Sequence, residues 1–251
     1  MEVKTKKITS ILISQPEPVQ GNSPYFELAK KFNLKIDFLP FIHVEGVSAK
    51  EFRKEKVNPI DFTAVIFTSR NAISHYFRIC EEMRVEVSAD MKYICSAESI
   101  ALYLQKFTQY RKRKVFFGKS GKDNLNDVLL KHKEESFIFP CSDAHNDEIP
   151  DFLKSNKINF QKAVIYKTVC SDLSDLSDVN YDIIAFFSPS GIKSLFENFP
   201  NFKQNSTNIA AFGTTTSQAV RDCGLTLNIE APQPESPSMT MALERFIKMK
   251  S

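Results

Sequence analysis

Short apolar runs alternate with amphipathic stretches along almost the whole chain. The run at 183–187, "IIAFF", is unbroken and then meets Ser188, Pro189, Ser190 and Gly191, which is typical of a strand covered on both faces that ends abruptly. Similar runs predict strands at 8–14, 35–41, 64–68, 92–95, 115–118, 137–141, 163–169, 183–188, 209–213 and 226–229. Amphipathic stretches predict helices at 23–32, 71–83, 98–107, 124–133, 147–156, 191–199, 216–224 and 238–248. This alternation predicts an α/β fold with parallel sheets.

One pattern of strand and helix occurs twice. "VIFTSRNAISHYF" at 65–77 matches "AFFSPSGIKSLF" at 185–196 in kind, and Ser69 and Ser188 are 119 residues apart. Two later strand ends recur at an offset of 118 residues. The chain therefore contains two copies of one α/β unit.

Small polar residues follow the predicted strands in both copies. Ligands of open α/β sheets bind outside the carboxyl ends of the strands, where helix amino termini favour anions. The segments are "TSRN", "CSAES", "GKSGK", "PCSDAHND", "SPSG", "GTTTS" and "PESPS". A single Ser or Thr in such a place is more often only a helix N-cap, but two matched series favour an anion-binding rim around one cleft.

Composition limits the classes of function. The 251 residues are enough for two domains, and 33 Lys and Arg against 30 Asp and Glu give a net charge of only +3. The one basic run, Arg111 to Lys114, directly precedes an apolar strand and has no aromatic interleaving. We interpret it as a solvated strand entry and not as a nucleic-acid site.

Cysteine usage and the amino terminus predict a cytoplasmic protein. The five cysteines are odd in number and lack CxxC spacing, which favours reduced thiols, each a small core residue. The first apolar run is broken by Ser14 and Gln15, so we expect no signal peptide. No apolar stretch reaches the roughly 20 residues that span a bilayer, so we expect no membrane contact.

The ordered set of motifs resembles one enzyme family, the uroporphyrinogen-III synthases. The matching segments are "FTSRNAI", "FIFPCSDAHNDEIPDFL", "VIYKT", "FFSPSGIKSLF", "AFGTTTSQAV" and "ESPSMTMAL", and "SPYFELAKKFNLKIDFLPFIHV" fits a weaker amino-terminal pattern. The chain departs from the family at Cys95-Ser96, where Gly is frequent, at Thr214, where Pro is frequent, and in "SQPEP". Ligand contacts at Ser96 are therefore less secure than those at Thr215 and Thr216.

The resemblance implies two flavodoxin-like parallel-sheet domains joined by two extended linkers. One domain would combine residues 1–40 with 169–251, and the other would be the inserted segment 41–168. The linkers would lie near 39–41 and 166–168.

The resemblance also implies a reaction. A lyase of this family closes the linear tetrapyrrole hydroxymethylbilane into uroporphyrinogen III, with loss of water, inversion of ring D and no cofactor. Such an enzyme steers geometry more than it supplies strong acid or base. We expect a monomer that contacts the upstream hydroxymethylbilane synthase only transiently.

The resemblance assigns the site residues. Tyr166 falls at the family's linker tyrosine and is the expected general acid, the alternative being a packed strand tyrosine. We expect Gly191 to let the ligand approach the backbone, so that a leucine there would block binding with little change in stability. The expected substrate-binding residues are Thr68, Ser69, Arg70, Asn71, Ser96, Ala97, Ser142, Ser188, Pro189, Ser190, Gly191, Thr215, Thr216 and Ser238.

Other classes of function have less support. The four histidines show neither HExxH nor a nucleophile elbow, and "DAHND" fits a polar turn better than a metal loop. A paired receiver-like signalling module would need acidic residues at the strand ends of both halves, but Asp143 and Asp147 lie in only one. A non-catalytic two-lobed binding protein for a polycarboxylate remains the alternative.

Overall fold

The computed structural model describes residues 7–19, 23–118, 124–145, 147–176 and 179–250. The chain divides into two compact units, which we call the outer unit (residues 1–43 with 169–251) and the inserted unit (residues 44–168). In chain order the elements are β1 (Ser10–Ile13), α1 (Pro24–Phe32), β2 (Lys35–Phe38), β3 (Ile42–Gly46), α2 (Ala49–Phe52), β4 (Ala64–Phe67), α3 (Arg70–Met83), β5 (Lys92–Cys95), α4 (Glu98–Tyr103), β6 (Val115–Phe117), α5 (Leu125–Lys131), β7 (Phe137–Ser142), α6 (Glu148–Ser155), β8 (Phe160–Cys170), β9 (Ile183–Phe186), α7 (Pro189–Asn198), β10 (Asn208–Phe212), α8 (Thr214–Asp222), β11 (Leu227–Ala231) and α9 (Met239–Lys250). The predicted α/β class is confirmed.

The two sheets have the same underlying strand order. In the outer unit the order is β2-β1-β9-β10-β11, which is the flavodoxin-like order 2-1-3-4-5. In the inserted unit the order β8-β7-β4-β5-β6 is identical when the strands are counted from β7, and β3 is added beside β8. Strands β4 to β6 therefore occupy the places that β9 to β11 occupy in the other sheet, as expected from the sequence repeat.

The apolar runs form the central strands. All four residues of β4 and all four of β9 are completely buried, because helices cover both faces of each sheet. Successive residues alternate between two core clusters: Ile183 and Ala185 pack in one, Ile184 and Phe186 in the other. These buried strands fix where the polar strand ends lie.

Serines begin the helices that follow the central strands. The Ser69 hydroxyl accepts a hydrogen bond from Ala72 N–H at 3.0 Å, and the Ser188 hydroxyl accepts one from Gly191 N–H at 3.2 Å. Both serines satisfy N–H groups that a helix leaves unpaired in its first turn. Equivalent positions in the repeat thus have the same capping role.

Some elements differ from the sequence prediction. Strand β3 was not predicted, because its residues from His43 to Gly46 are exposed and it contains no unbroken apolar run. Phe41, which the linker prediction included, is fully buried in the outer unit and packs edge-on against Phe186 at 5.8 Å between ring centroids. Cys223 is exposed, so the expectation that each cysteine is a core residue is wrong for it.

Across the ranges given above, no helix combines the length and the apolar character needed to cross a membrane.

A buried carboxylate joins the amino ends of β1 and β9. Asp182 is only 6% exposed, and its Oδ2 accepts hydrogen bonds from the backbone N–H groups and hydroxyls of Thr9 and Ser10, at 2.8 to 3.3 Å. Removing the acceptor would leave several partly buried donors without it, which is costly.

We therefore predict that Asp182→Ala lowers the free energy of unfolding by about 2–3 kcal/mol. Chemical denaturation measures this change, with the exposed Asp175→Ala as the control, which we expect to stay within about 0.5 kcal/mol of the parent protein. Equal stability of the two variants would show that the Asp182 contacts do not join the strands.

Candidate active site

Each sheet has a topological switch point, the place between two neighbouring strands where the strand order reverses. In the inserted unit this switch point lies between β7 and β4, and in the outer unit it lies between β1 and β9. Crevices at the carboxyl ends of such strand pairs are the usual ligand sites of doubly wound sheets. We therefore expect the predicted site residues to lie at these two places.

A cavity of about 200 Å³ opens at the switch point of the inserted unit. Thr68 follows β4 directly, and Ser142 ends β7, so the two adjacent parallel strands bring them to the same edge. The cavity is lined by Thr68, Phe139, Cys141, Ser142, His145, Glu148, Ile149 and Tyr166. Its volume is below the range of about 300–1,000 Å³ for whole drug-sized ligands, so it suits one ring or one acidic side chain of a larger ligand.

An irregularity in β8 aims Tyr166 at this cavity. Cys141 pairs with Val164, but Ser142 pairs with Tyr166, so Ile165 is an extra residue in the ladder. In a regular strand neighbouring side chains point to opposite faces, whereas Ile165 and Tyr166 belong to the same core cluster. Such bulges re-aim side chains next to active sites.

Tyr166 is held by two neighbours from the beginning of α3. Its hydroxyl shares a hydrogen bond with the Ser69 hydroxyl at 3.1 Å, and its ring stacks on the His75 ring at 5.3 Å between centroids. Tyr166 keeps 9% of its surface exposed. The phenol is thus fixed in place but still reaches the cavity.

Burial keeps the acid and base groups here neutral. It raises the pKa of Tyr166 above the ordinary value of 10.0, although the Ser69 hydrogen bond acts in the opposite direction. Burial, with a smaller contribution from the Arg78 charge, lowers the pKa of His75 below 6.5. At neutral pH the site therefore presents a protonated phenol beside an uncharged imidazole.

Arg78 fixes the orientation of His75. Its Nε donates to His75 Nδ1 at 3.2 Å, and its guanidinium also donates to the Val47 carbonyl at 2.7 Å and pairs with Glu82. Since His75 Nδ1 accepts a hydrogen bond, the proton of the neutral ring lies on Nε2. Through Arg78, the His75 ring that stacks on Tyr166 is connected to the backbone of the inserted unit.

His145 occupies another wall of the cavity. Its Nδ1 lies 2.8 Å from the Ser142 carbonyl, and its Nε2 lies 3.1 Å from Lys162 Nζ. The ring is therefore used in hydrogen bonding between β7 and β8. Among the residues that the structure describes, no group of three or more His, Cys, Asp or Glu is arranged to hold a metal ion.

The outer unit has a matching strand end. Ser14, which follows β1, is 7% exposed, and its backbone N–H donates to the Ala185 carbonyl at 3.0 Å. Ser188 caps α7 beside it, and a Cβ at Gly191 would lie 3.8 Å from the Ser14 hydroxyl. Ser14 and Ser188 thus both lie near Gly191 at this switch point, as Ser142 and Ser69 both lie near Tyr166 at the other.

The remaining predicted residues lie around these two centres. Ser96 is fixed by hydrogen bonds from its N–H to the Phe67 carbonyl at 2.9 Å and from its hydroxyl to the Thr68 carbonyl at 3.3 Å. Ala97 precedes α4 without a side-chain cap. In the first turns of α3, α7 and α8, Arg70, Asn71, Pro189 and Thr215 are exposed, Ser190 is half-buried and Thr216 is buried. Pro189 is the first residue of α7, and the Ser238 hydroxyl accepts a hydrogen bond from Met241 N–H before α9.

Sequence reasoning did not single out several cavity residues. His75 lies six positions after Ser69 on α3, and its neighbours Ala72, Tyr76 and Ile79 form the buried face of that helix. This helical spacing is a signal that could have indicated His75. His145 was visible only as part of the polar turn "DAHND", and Glu148 only as part of the helix predicted at 147–156.

The fold and the strand-end geometry define the class: a doubly wound α/β protein with polar ligand crevices at its switch points. A family model described as "Uroporphyrinogen-III synthase HemD" matches residues 23–241. The chain belongs to this family.

Individual relatives are more distant. Uroporphyrinogen-III synthase from Chlorobaculum parvum is 27% identical over 124 residues, which are 46% of this chain and 50% of the relative; the Saccharomyces cerevisiae enzyme is 24% identical over 144 residues, 51% and 52% respectively. The chain thus matches about half the length of these curated relatives.

Among solved structures, uroporphyrinogen-III synthetase from Helicobacter pylori has a TM-score of 0.61 at 17% identity, over 96% of this chain and 100% of that one. A Thermus thermophilus synthase mutant has a TM-score of 0.53 at 12% identity, over 97% and 100%. These structures support the fold.

Gly191 is packed inside its unit, which changes the expected effect of a substitution. A Cβ there would lie 3.5 Å from the Phe186 ring and 3.6 Å from the Ser188 hydroxyl, ordinary contact distances. We predict that Gly191→Ala melts at or slightly above the wild-type temperature, while Gly191→Leu overpacks the site and costs about 1–3 kcal/mol. Thermal melting of the two variants measures this, and a Leu variant as stable as the Ala variant would contradict the packing.

A second prediction concerns the charge state of His75. Because burial and Arg78 depress its pKa in the folded protein, the stability that the neutral ring contributes is present above pH 6.5 and is lost as the pH falls through the folded value. NMR titration should give a midpoint below 6.5, and Arg78→Gln should move it upward.

Arg84→Gln, at the far end of α3, is the matched control and should leave the midpoint unchanged. A titration midpoint of His75 above pH 6.5 in the wild-type protein would refute the claim that an uncharged His75 ring stacks on Tyr166.

Proposed function

We propose that this protein is a uroporphyrinogen-III synthase, which closes hydroxymethylbilane with inversion of ring D and loss of water, without a cofactor. The observation that carries the proposal is the fixed, protonated Tyr166 phenol at the switch-point cavity of a chain that belongs to the family. The reaction needs a proton donor for the departing hydroxyl and a surface that holds the chain in a reactive geometry. Both requirements have candidates at the strand ends.

In this proposal Tyr166 assists the first step. The phenol gives its proton to the terminal hydroxyl of the substrate, the C–O bond breaks as water leaves, and an azafulvenium cation remains beside the phenolate. Ring D attacks through its substituted carbon to give a spiro intermediate, which fragments and recloses in the inverted sense. A proton released when the last ring becomes a pyrrole again restores the phenol, so the protein is unchanged after each turnover.

Ser69 has two functions in this proposal. It caps α3 through its acceptance of the Ala72 N–H, and it shares a hydrogen bond with the phenol. A hydroxyl can donate to the phenolate that forms when the proton leaves, so this contact would stabilise the charged state of Tyr166 during the step. A neutral donor of this kind is suited to a reaction that also proceeds slowly without a catalyst.

The carboxylates of the substrate would bind to strand ends in both units. Helix amino termini and hydroxyls bind anions without a buried cluster of Lys or Arg, and Ser69 and Ser188 lie at equivalent helix starts. The proposed substrate-binding set is Thr68, Ser69, Arg70, Asn71, Ser96, Ala97, Ser142, Ser188, Pro189, Ser190, Gly191, Thr215, Thr216 and Ser238. Thr215 is the exposed hydroxyl of the outer unit in this set, while Ser188, Ser190 and Ser238 are half-buried.

We also propose that the two units act as domains, 1–40 with 169–251 and 41–168, connected near 39–41 and 166–168. The observed division at 43/44 and 168/169 supports this arrangement. The protein would act as a cytoplasmic monomer that receives its unstable substrate during transient contact with hydroxymethylbilane synthase. The free state of all five cysteines supports a reducing compartment.

A non-catalytic binding protein for a polycarboxylate would have the same strand-end residues. It would not need a phenol that is desolvated, hydrogen-bonded and still open to the cavity. Substitution of that phenol separates the two functions.

We predict that Tyr166→Phe lowers kcat by about 10²-fold, since one general acid contributes about 10²–10⁴-fold and the leaving step also occurs slowly in water. The product that remains should still be the type III isomer, because the strand ends continue to hold the substrate. Isomer-resolved chromatography of the porphyrins obtained by oxidation measures both effects.

Tyr181→Phe is the matched control, since that phenol donates to Asp37 at 2.8 Å within the outer unit and does not line the Tyr166 cavity. It should keep the wild-type kcat. Wild-type kcat in a folded Tyr166→Phe variant would refute the acid role.

A further inference from the structure

A second and larger cavity lies at the other end of the inserted sheet, where strands β5 and β6 begin. It has a volume of about 570 Å³ and is lined by residues at the amino ends of β5 and β6, including Met91 and Lys114, which directly precede or open those strands. Strands β4, β5 and β6 are parallel, so their amino ends lie at the edge away from Thr68. This cavity is therefore separate from the one that contains Tyr166.

Aromatic rings form part of the apolar wall of the cavity, which we call the aromatic surface. The rings of Phe77 and Phe107 stack at 5.2 Å between centroids with planes only 11° apart, and Tyr93 lies 6.4 Å from Phe77. Phe107 is 37% exposed. An exposed ring stacked on a half-buried one offers a face on which a planar ligand can lie.

Cations surround this surface. Lys106, Arg111 and Lys114 line the cavity against the single carboxylate of Glu81. Lys114 pairs with Asp90 at 2.7 Å, whereas the Arg111 guanidinium donates to the neutral Gln109 side chain at 3.0 Å. Arg111 thus places a positive charge on the cavity wall, and the Asp90 carboxylate is close enough to interact with it electrostatically.

Two residues of the basic run Arg111 to Lys114 line this cavity. Arg111 to Lys114 was interpreted as a solvated strand entry, and Lys112 and Arg113 are indeed exposed and do not line the cavity. Arg111 and Lys114 do line it, so the run supplies charge to a concave apolar surface. Its volume lies within the range of about 300–1,000 Å³ that is usual for small-molecule sites.

We propose that this cavity binds a small organic anion with a flat ring system. The ring lies against Phe107 and Phe77, and the acidic group pairs with Arg111 and Lys106. An uncharged ring would offer no anionic partner to Arg111 and Lys106, and a compact inorganic anion would leave the aromatic surface uncovered. The assignment depends on neither Tyr166 nor the proposed reaction.

The probe is 8-anilino-1-naphthalenesulfonate, with uncharged N-phenyl-1-naphthylamine as its matched ring system. Fluorescence titration of the whole protein should give saturable binding of the sulfonate and at least about fivefold weaker binding of the amine, the effect of one partly exposed charge pair. Equal affinities would show an apolar cavity without selection for anions and would overturn the proposal.

Two variants locate the site. Arg111→Gln should weaken sulfonate binding by about fivefold, while Arg113→Gln, the same charge change in the same run but outside the cavity, should change it by less than about twofold. Equal weakening by both would mean general attraction to a basic surface and would overturn the proposal.

Phe107→Ala tests the aromatic surface and should weaken binding of both probes. Melting curves identify any variant that fails to fold, and the two exposed arginine variants keep the test valid if Phe107→Ala does. Unchanged affinity in folded Phe107→Ala and in Arg111→Gln would place the probe elsewhere on the protein.

Discussion

Parallel strand pairing is the constraint on which the candidate site depends. The central strands of each sheet pair in parallel. Their carboxyl ends therefore lie at the same end of the sheet. The helices that follow must then begin at that end, and their unpaired N–H groups require caps. Ser69 and Ser188 meet this requirement, and the same geometry makes both serines available at a ligand crevice.

Electrostatics at the Tyr166 cavity follow from burial more than from ion pairs. Desolvation favours the uncharged forms of Tyr166 and His75, and stacking and hydrogen bonds hold them in position. A neutral donor can approach a substrate with many carboxylates without fixing one carboxylate as a permanent ion pair. In the proposed reaction, orientation, which accounts for up to about 7–11 kcal/mol in favourable intramolecular reactions, would be the main contribution to catalysis.

Much of this arrangement follows from local sequence patterns. The apolar runs at 64–68 and 183–188 located β4 and β9 because both faces of those strands are buried, and the repeated serine marked both helix starts. Strand β3 escaped prediction because its stability comes from pairing beside β8 and not from an apolar face. The extra residue Ile165, which turns Tyr166 toward α3, depends on the pairing with Cys141 and Ser142 and has no local signature. Gly191 looked like an open approach to the backbone, but tertiary packing against Phe186 made it part of the interior.

The central claim is that strand-end residues direct ring closure toward the inverted isomer. It is tested most directly by incubating the purified wild-type protein with freshly generated hydroxymethylbilane and resolving the uroporphyrin isomers after oxidation. The account predicts type III product in excess of the enzyme-free blank and at a rate proportional to protein concentration. Type I product alone, formed at the rate of the blank, would contradict it.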